Sequence, residues 1–128
     1  MLGEIDHMRY KYSLCKDISK QMDYLMIGYD SRKDQLCFCN RLDLSYFNQL
    51  RFIHICSECM IHCLMFHISH MPCLEKVIID KECFISWGDE SCPSSFCIKD
   101  CPVLTVLHID SYSFTMYMKY EFSGHDCF

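Results

Sequence analysis

The chain has 128 residues, of which 51% are hydrophobic, and its formal net charge at pH 7 is −5. This hydrophobic share supports one domain with a packed core and excludes a wholly disordered chain. The charged residues are spread along the sequence without the clustered basic patch that nucleic-acid binding usually requires, so we expect no nucleic-acid partner.

The first segment, residues 1–13, is interpreted as an N-terminal extension. It lacks the apolar stretch of a signal peptide. No apolar run in the chain approaches the ~18 residues that span a bilayer, so we expect no membrane span. The 12 cysteines would indicate a disulfide framework in a secreted protein. Without an export signal the default location is the cytoplasm, where buried reduced cysteine packs as a small hydrophobe.

A repeated segment occupies residues 14–128. Three copies have the sequences LRFIHICSECM, LEKVIIDKECF and LTVLHIDSYSF and begin at Leu50, Leu74 and Leu104, which we number position 1 of each copy. A weaker copy has its position 1 at Met22. With the apolar residues upstream of position 1, the copies define cores at 14–32, 42–60, 66–84 and 96–114 and a partial core at 120–128. Length differences fall only between cores, which is typical of stacked repeats.

Each core contains two short runs in which apolar and other residues alternate, such as FHI upstream and VII at positions 4 to 6. Alternation with β-branched residues predicts strands, and Pro or Asn between the runs predicts a corner. One copy cannot bury its apolar side alone, whereas stacked copies form a continuous core. The sequence therefore predicts a mainly β solenoid of about four turns with parallel strands.

The repeat pattern resembles the leucine-rich repeat. It has the form L-x-x-ϕ-x-ϕ, where ϕ is apolar, followed by a small residue at position 10 (Cys59, Cys83 and Ser113) and a bulky apolar one at position 11. The small residue at position 10, Gly28 after Ile27, and a cysteine three residues before Leu104 are similar to leucine-rich repeats of bacterial and protist surface antigens. The resemblance implies a right-handed solenoid.

The repeat also predicts which side chains form the core. Apolar residues that coincide across copies should be nearly inaccessible to solvent: Val77, Ile79, Phe84, Leu104, Leu107 and Ile109. Position 10 should form an internal ladder in which Cys59 and Cys83 are buried thiols beside Ser113. Cys56 should point outward and react first with alkylating reagents.

The segment HICSECMIHC, residues 54–63, is the strongest candidate for a metal site. Zinc binds cysteine and histidine tetrahedrally, and this segment offers five such ligands: His54, Cys56, Cys59, His62 and Cys63. The repeat favours packing instead, because Cys59 aligns with Cys83 and Ser113. A small zinc-binding domain remains the alternative interpretation.

The outward strand positions are the candidate binding residues. Repeat proteins bind through an extended surface, and aromatic residues and methionine among charges suit a protein interface. Positions 3, 5 and 7 supply the candidates: Tyr24, Met26, Phe52, His54, Lys76, Ile78, Val106, His108, Asp80 and Asp110. No phosphate-binding or nucleophile motif occurs. We therefore expect a non-enzymatic scaffold for a protein partner, with no cofactor. A third interpretation is a fragment of a longer repeat protein without independent function.

Overall fold

The computed structural model describes residues 22–28, 41–86, 88, 91–115 and 117–123. The extension 1–13 lies outside these residues, as do parts of the cores 14–32 and 120–128. The described residues form eight strands and no helix, so none of them lies in a helix that could cross a membrane. The strands are β1 (Tyr24–Ile27), β2 (Arg41–Asp43), β3 (Phe52–Ile55), β4 (Met65–Ser69), β5 (Lys76–Ile79), β6 (Ser95–Lys99), β7 (Val106–Ile109) and β8 (Lys119–Ser123).

The strands form two parallel sheets of a solenoid. The first sheet has the order β1-β3-β5-β7 and the second has the order β2-β4-β6-β8. The chain therefore crosses from one sheet to the other after each strand, and each strand from β1 to β6 pairs with the strand one turn later. This confirms the mainly β solenoid with parallel strands, in which each sheet has four strands related by three turns.

The strand register follows the sequence repeat residue by residue. Position 4 of the four copies, Leu25, Ile53, Val77 and Leu107, forms one lateral row across the first sheet. In the second sheet Phe66 pairs with Phe96. This register stacks like residues on like. Because side chains alternate between the two sides of a strand, a register shift of one residue would move the apolar side chains from the core to solvent.

The core lies between the two sheets, and its burial agrees with the repeat except at one end. Val77, Ile79 and Leu104 are almost fully buried, as predicted. The prediction is wrong for two residues of the last copy: Leu107 is half-buried, and Ile109 is 37% exposed. Ile109 pairs with Ile79 as the register requires. However, β7 is the last strand of the first sheet among the described residues, so no further turn covers Ile109.

The corners repeat a left-handed backbone conformation. Position 9 is left-handed in three copies, at Glu58, Glu82 and Tyr112, with φ of 62°, 62° and 65°. Position 11 is left-handed as well, at Met60, Phe84 and Phe114, with φ of 60°, 55° and 62°. Left-handed backbone costs a residue with a side chain roughly 1–2 kcal/mol. Lateral hydrogen bonds hold the corner, since the N–H of Glu58 donates to Lys81 O at 3.1 Å and that of Glu82 to Ser111 O at 3.0 Å.

Position 10 forms the internal ladder that the sequence predicts. Cys59, Cys83 and Ser113 have exposed fractions of 1%, 0% and 7%, and neither cysteine forms a disulfide. The Cys83 thiol donates to Cys56 O at 3.0 Å, and the Ser113 hydroxyl donates to Asp80 O at 2.7 Å. Each position-10 side chain thus contacts position 7 of the preceding turn. Burial raises the pKa of the Cys83 thiol to about 12.

We expect iodoacetamide to label Cys83 slowly and Cys92 rapidly in the folded protein at pH 8. The thiolate is the reacting form, and Cys83 is buried with a raised pKa, whereas Cys92 is exposed. The sequence predicts that Cys56 reacts first, but Cys56 is half-buried and Cys92 is exposed. We therefore expect Cys92 to react before Cys56. Timed alkylation followed by mass spectrometry of the peptides measures each rate, and equal rates at Cys83 and Cys92 would contradict the burial of the ladder.

The same pKa predicts how stability depends on pH. The unfolded thiol has a pKa of about 8.5, and burial holds the folded value near 12. Between these values the unfolded state binds fewer protons than the folded state, so stability falls as pH rises. The stabilisation that comes from the raised pKa of Cys83 is fully present below pH ~8.5 and is lost as the pH rises. Urea denaturation of the wild type and of Cys83→Ser checks it, because the serine variant should show a weaker decline.

Candidate functional site

One outward surface is built from the first sheet, and we call it the first-sheet face. Its side chains occupy positions 3 and 5, which alternate with the buried positions 4 and 6. They form two lateral rows in exact strand register. The position-3 row is Tyr24, Phe52, Lys76 and Val106, and the position-5 row is Met26, His54, Ile78 and His108. These eight residues are the position-3 and position-5 candidates from the sequence.

A shallow groove crosses the first-sheet face. It has a volume of ≈ 270 Å³ and is lined by Tyr24, Phe52, Ile53, His54, Lys76 and Ile78. The rings of Tyr24 and Phe52 are tilted, with centroids 6.0 Å apart. The Lys76 ammonium lies 6.0 Å from the Phe52 ring centroid, and the Arg51 guanidinium lies 5.3 Å from it. Arg51 is ion-paired with Glu75 at 2.6 Å, so the groove combines an aromatic surface with the positive charge of Lys76 at one side.

The outward surface of the second sheet, which we call the second-sheet face, is mainly polar. Its half-buried or exposed side chains alternate with buried ones in β2, β4 and β6. Apart from Met65 and Cys97 they are polar: Arg41, Asp43, His67, Ser69, Ser95 and Lys99, continued in β8 by Lys119, Glu121 and Ser123. On the first-sheet face, by contrast, five of the eight side chains are apolar or aromatic: Tyr24, Met26, Phe52, Ile78 and Val106.

The structure divides the five candidate metal ligands of residues 54–63 between the inside and the outside. Cys59 and Cys63 are buried in the core, where their thiols contact the carbonyls of Ser57 at 3.6 Å and Met65 at 3.1 Å. His62 is exposed, and His54 and Cys56 are half-buried. The five side chains do not converge on one point.

A different set converges instead. The donor atoms of His54, Cys56 and Asp80 all lie within 4.8 Å of one another. Within this set, His54 Nε2 lies 3.0 Å from Asp80 Oδ2. No other group of three or more histidine, cysteine, aspartate or glutamate side chains in the described segments meets this distance. Sequence reasoning placed Asp80 among the partner-binding residues and missed this contact, since Asp80 is 26 residues from His54.

The remaining position-7 candidate, Asp110, lies at the exposed end of the solenoid. Its Oδ1 accepts a hydrogen bond from the N–H of Ser111 at 2.7 Å, and its side chain is exposed. The position-7 carboxylates thus have different local contacts: Asp80 lies near His54, and Asp110 caps the following turn.

No family model, curated protein or solved structure matches this chain. The resemblance to leucine-rich repeats therefore stays a prediction, and functional inference depends on the chemistry of the outward faces.

Proposed function

We propose that this protein is a non-enzymatic binding module that recognises a protein partner through the first-sheet face. The observation that supports this function is the contrast between the two outward faces of one solenoid. Aromatic residues and methionine are enriched in protein interfaces relative to other surfaces, and here they concentrate on the first sheet while the second sheet carries polar side chains.

The groove favours an amino-acid side chain over a free small molecule. Pockets for drug-sized ligands occupy about 300–1,000 Å³ and enclose most of the ligand, whereas this groove is open and has a volume of ≈ 270 Å³. An apolar side chain of the partner would pack against Tyr24, Phe52 and Ile78. An acidic group beside it would lie near the Lys76 ammonium. The expected partner segment is therefore extended, with an apolar anchor flanked by a carboxylate.

Selection from a random peptide library displayed on phage tests this function. We expect the immobilised wild-type protein to enrich peptides that contain an aromatic or aliphatic anchor next to Asp or Glu. Phe52→Ala should weaken binding of the enriched peptide by roughly 30-fold, because buried aromatic residues at interface centres contribute about 2 kcal/mol or more. Lys76→Glu should also weaken it, and more strongly at low ionic strength.

The second-sheet face supplies the matched control. Met65→Ala removes a half-buried apolar side chain from an outward strand position, as Phe52→Ala does, but on the opposite sheet. It should leave peptide affinity unchanged, and circular dichroism should show that all three variants are folded. Enrichment of no sequence class, or peptides whose binding is lost in Met65→Ala and retained in Phe52→Ala, would contradict the proposed function.

A further inference from the structure

We propose that His54, Cys56 and Asp80 form a zinc-binding site. His54 would bind through Nε2, Cys56 through Sγ and Asp80 through its carboxylate, with water as the fourth ligand. This site shares His54 and Cys56 with the set suggested by the sequence of residues 54–63 but has Asp80 in place of the other three residues. It does not depend on the proposed protein-binding function.

The solenoid register brings these three side chains together. His54 lies in β3 at position 5, and Cys56 follows the strand directly at position 7, where its N–H donates to Ile27 O at 2.9 Å and continues the ladder. Residues two apart in such a ladder lie on the same side. Ile55 pairs with Ile79, so Asp80 at position 7 of the next copy lies beside Cys56. Neighbouring strands are about 4.8 Å apart. The N–H of Asp80 donates to Ile55 O at 2.9 Å, which fixes the two turns at this point.

The donor set suits zinc in type and in spacing. Zinc takes sulfur at about 2.3 Å, imidazole nitrogen at about 2.0–2.1 Å and carboxylate oxygen at about 2.0–2.2 Å, so a tetrahedral site separates its donors by about 3.3–3.6 Å. The donors here lie within 4.8 Å of one another, with nitrogen and oxygen 3.0 Å apart. Side-chain shifts of about 1 Å would therefore complete the site. One nitrogen, one sulfur and one oxygen donor also disfavour magnesium and calcium, which take oxygen ligands.

The three ligand side chains are only partly buried, so the site is open to solvent. His54 and Asp80 side chains are 27% and 33% exposed, and Cys56 packs in part against the core. Zinc can therefore enter from solvent, and three protein ligands leave one coordination position for water. Binding requires a thiolate, a neutral imidazole and a carboxylate, so zinc displaces protons and its affinity should rise with pH.

The second-sheet face contains the same three residue types without the convergence. Asp43, His67 and Cys97 form one lateral row, in which Asp43 pairs with His67 and His67 with Cys97. They are not among the described groups whose donor atoms lie within 4.8 Å of one another. If zinc bound to any surface histidine, cysteine and aspartate, both sets would contribute to binding. If the site is specific, only His54, Cys56 and Asp80 contribute.

Zinc titration of the reduced, chelator-treated full chain tests the site. Competition with a chromogenic chelator should show one zinc equivalent per chain that is lost in Cys56→Ser, and Co²⁺ as a probe should show thiolate-to-metal charge-transfer absorption. His54→Ala, Cys56→Ser and Asp80→Asn should each weaken zinc binding by at least about tenfold, as removing even supporting residues of metal sites costs 10–100-fold. His67→Ala, Cys97→Ser and Asp43→Asn should bind zinc as the wild type does.

Alkylation gives a second readout that does not depend on measured affinity. Zinc should slow the labelling of Cys56 by iodoacetamide and leave the rate at Cys97 unchanged. Circular dichroism without metal identifies any variant that fails to fold, and Cys56→Ser, the smallest change, then carries the comparison. The proposal is overturned if the wild type binds no zinc, if Cys56→Ser binds as tightly as the wild type, or if zinc protects Cys97 as well as Cys56.

Discussion

Replacing Phe84 by alanine is expected to lower the free energy of unfolding by about 3–5 kcal/mol. Phe84 is fully buried at position 11 and its ring contacts three others. It stacks on Phe114 with centroids 4.5 Å apart, meets Phe66 at 5.1 Å and meets Tyr117 edge-on at 6.3 Å. Truncation would leave a cavity bordered by Phe66 of β4 and by the buried rings of Phe114 and Tyr117. A loss of this size is a large part of the 5–15 kcal/mol that typically stabilises a domain.

Urea denaturation monitored by circular dichroism measures this loss. The neighbouring residue Ile85 offers a matched control, because it follows Phe84 in the chain but is 41% exposed. Ile85→Ala should change the free energy of unfolding by less than about 1 kcal/mol. Phe84→Leu should cost less than Phe84→Ala because it keeps most of the buried volume. A cost below about 1 kcal/mol for Phe84→Ala would mean that the aromatic cluster is not the centre of the core.

The sequence predicts which residues are neighbours in adjacent turns, because residues at the same position of successive copies stack on one another. Ile53 and Val77 share position 4, so the repeat predicted that they pair, and it also predicted the burial of Val77. The same reasoning failed at Leu107 and Ile109. Burial in a solenoid comes from the turns on both sides of a residue, and the pattern within one copy carries no information about whether a further turn covers it.

The backbone of the corners was not predictable from residue type. Glycine and asparagine are the usual residues in left-handed conformations, yet Glu58 and Glu82 occupy position 9 and Met60 occupies position 11. These side chains carry no local signal for positive φ. Tertiary contacts impose the conformation, since position 11 must direct its side chain into the core immediately after the position-10 ladder.

The candidate sites were predictable to different degrees. Period-two alternation within each copy, together with the position 3 that they share in the repeat, placed Phe52 and Lys76 on one outward face. The group of His54, Cys56 and Asp80 needs the register between two turns as well. The short spacing within residues 54–63 suggested His54 and Cys56 together with three residues that do not join them. Asp80 becomes their neighbour only when copies are stacked.

Gly28 occupies the one position 7 in the described chain that cannot accept a side chain. Its φ is +92°, and a Cβ atom built on it would lie 2.0 Å from Cys59 Sγ. Cys59 at position 10 thus lies against position 7 of the preceding turn, as Cys83 lies against Cys56 and Ser113 against Asp80. Cys56 and Asp80 do not have positive φ, so their side chains leave the ladder unobstructed. Glycine is required at residue 28 for both backbone and space.

Gly28→Ala is therefore expected to lower the free energy of unfolding by about 2–5 kcal/mol. Of this, roughly 1–2 kcal/mol comes from the left-handed backbone, and about 1–3 kcal/mol comes from overlap with the Cys59 thiol. Cys59→Ala removes the sulfur and should relieve the overlap alone. In a double-mutant cycle followed by urea denaturation, Gly28→Ala should cost at least about 1 kcal/mol less in the Cys59→Ala background than in the wild type. The backbone cost should persist in both backgrounds. An identical cost in the two would show that Cys59 does not lie against Gly28, and that the first turn is stacked on the second in some other way.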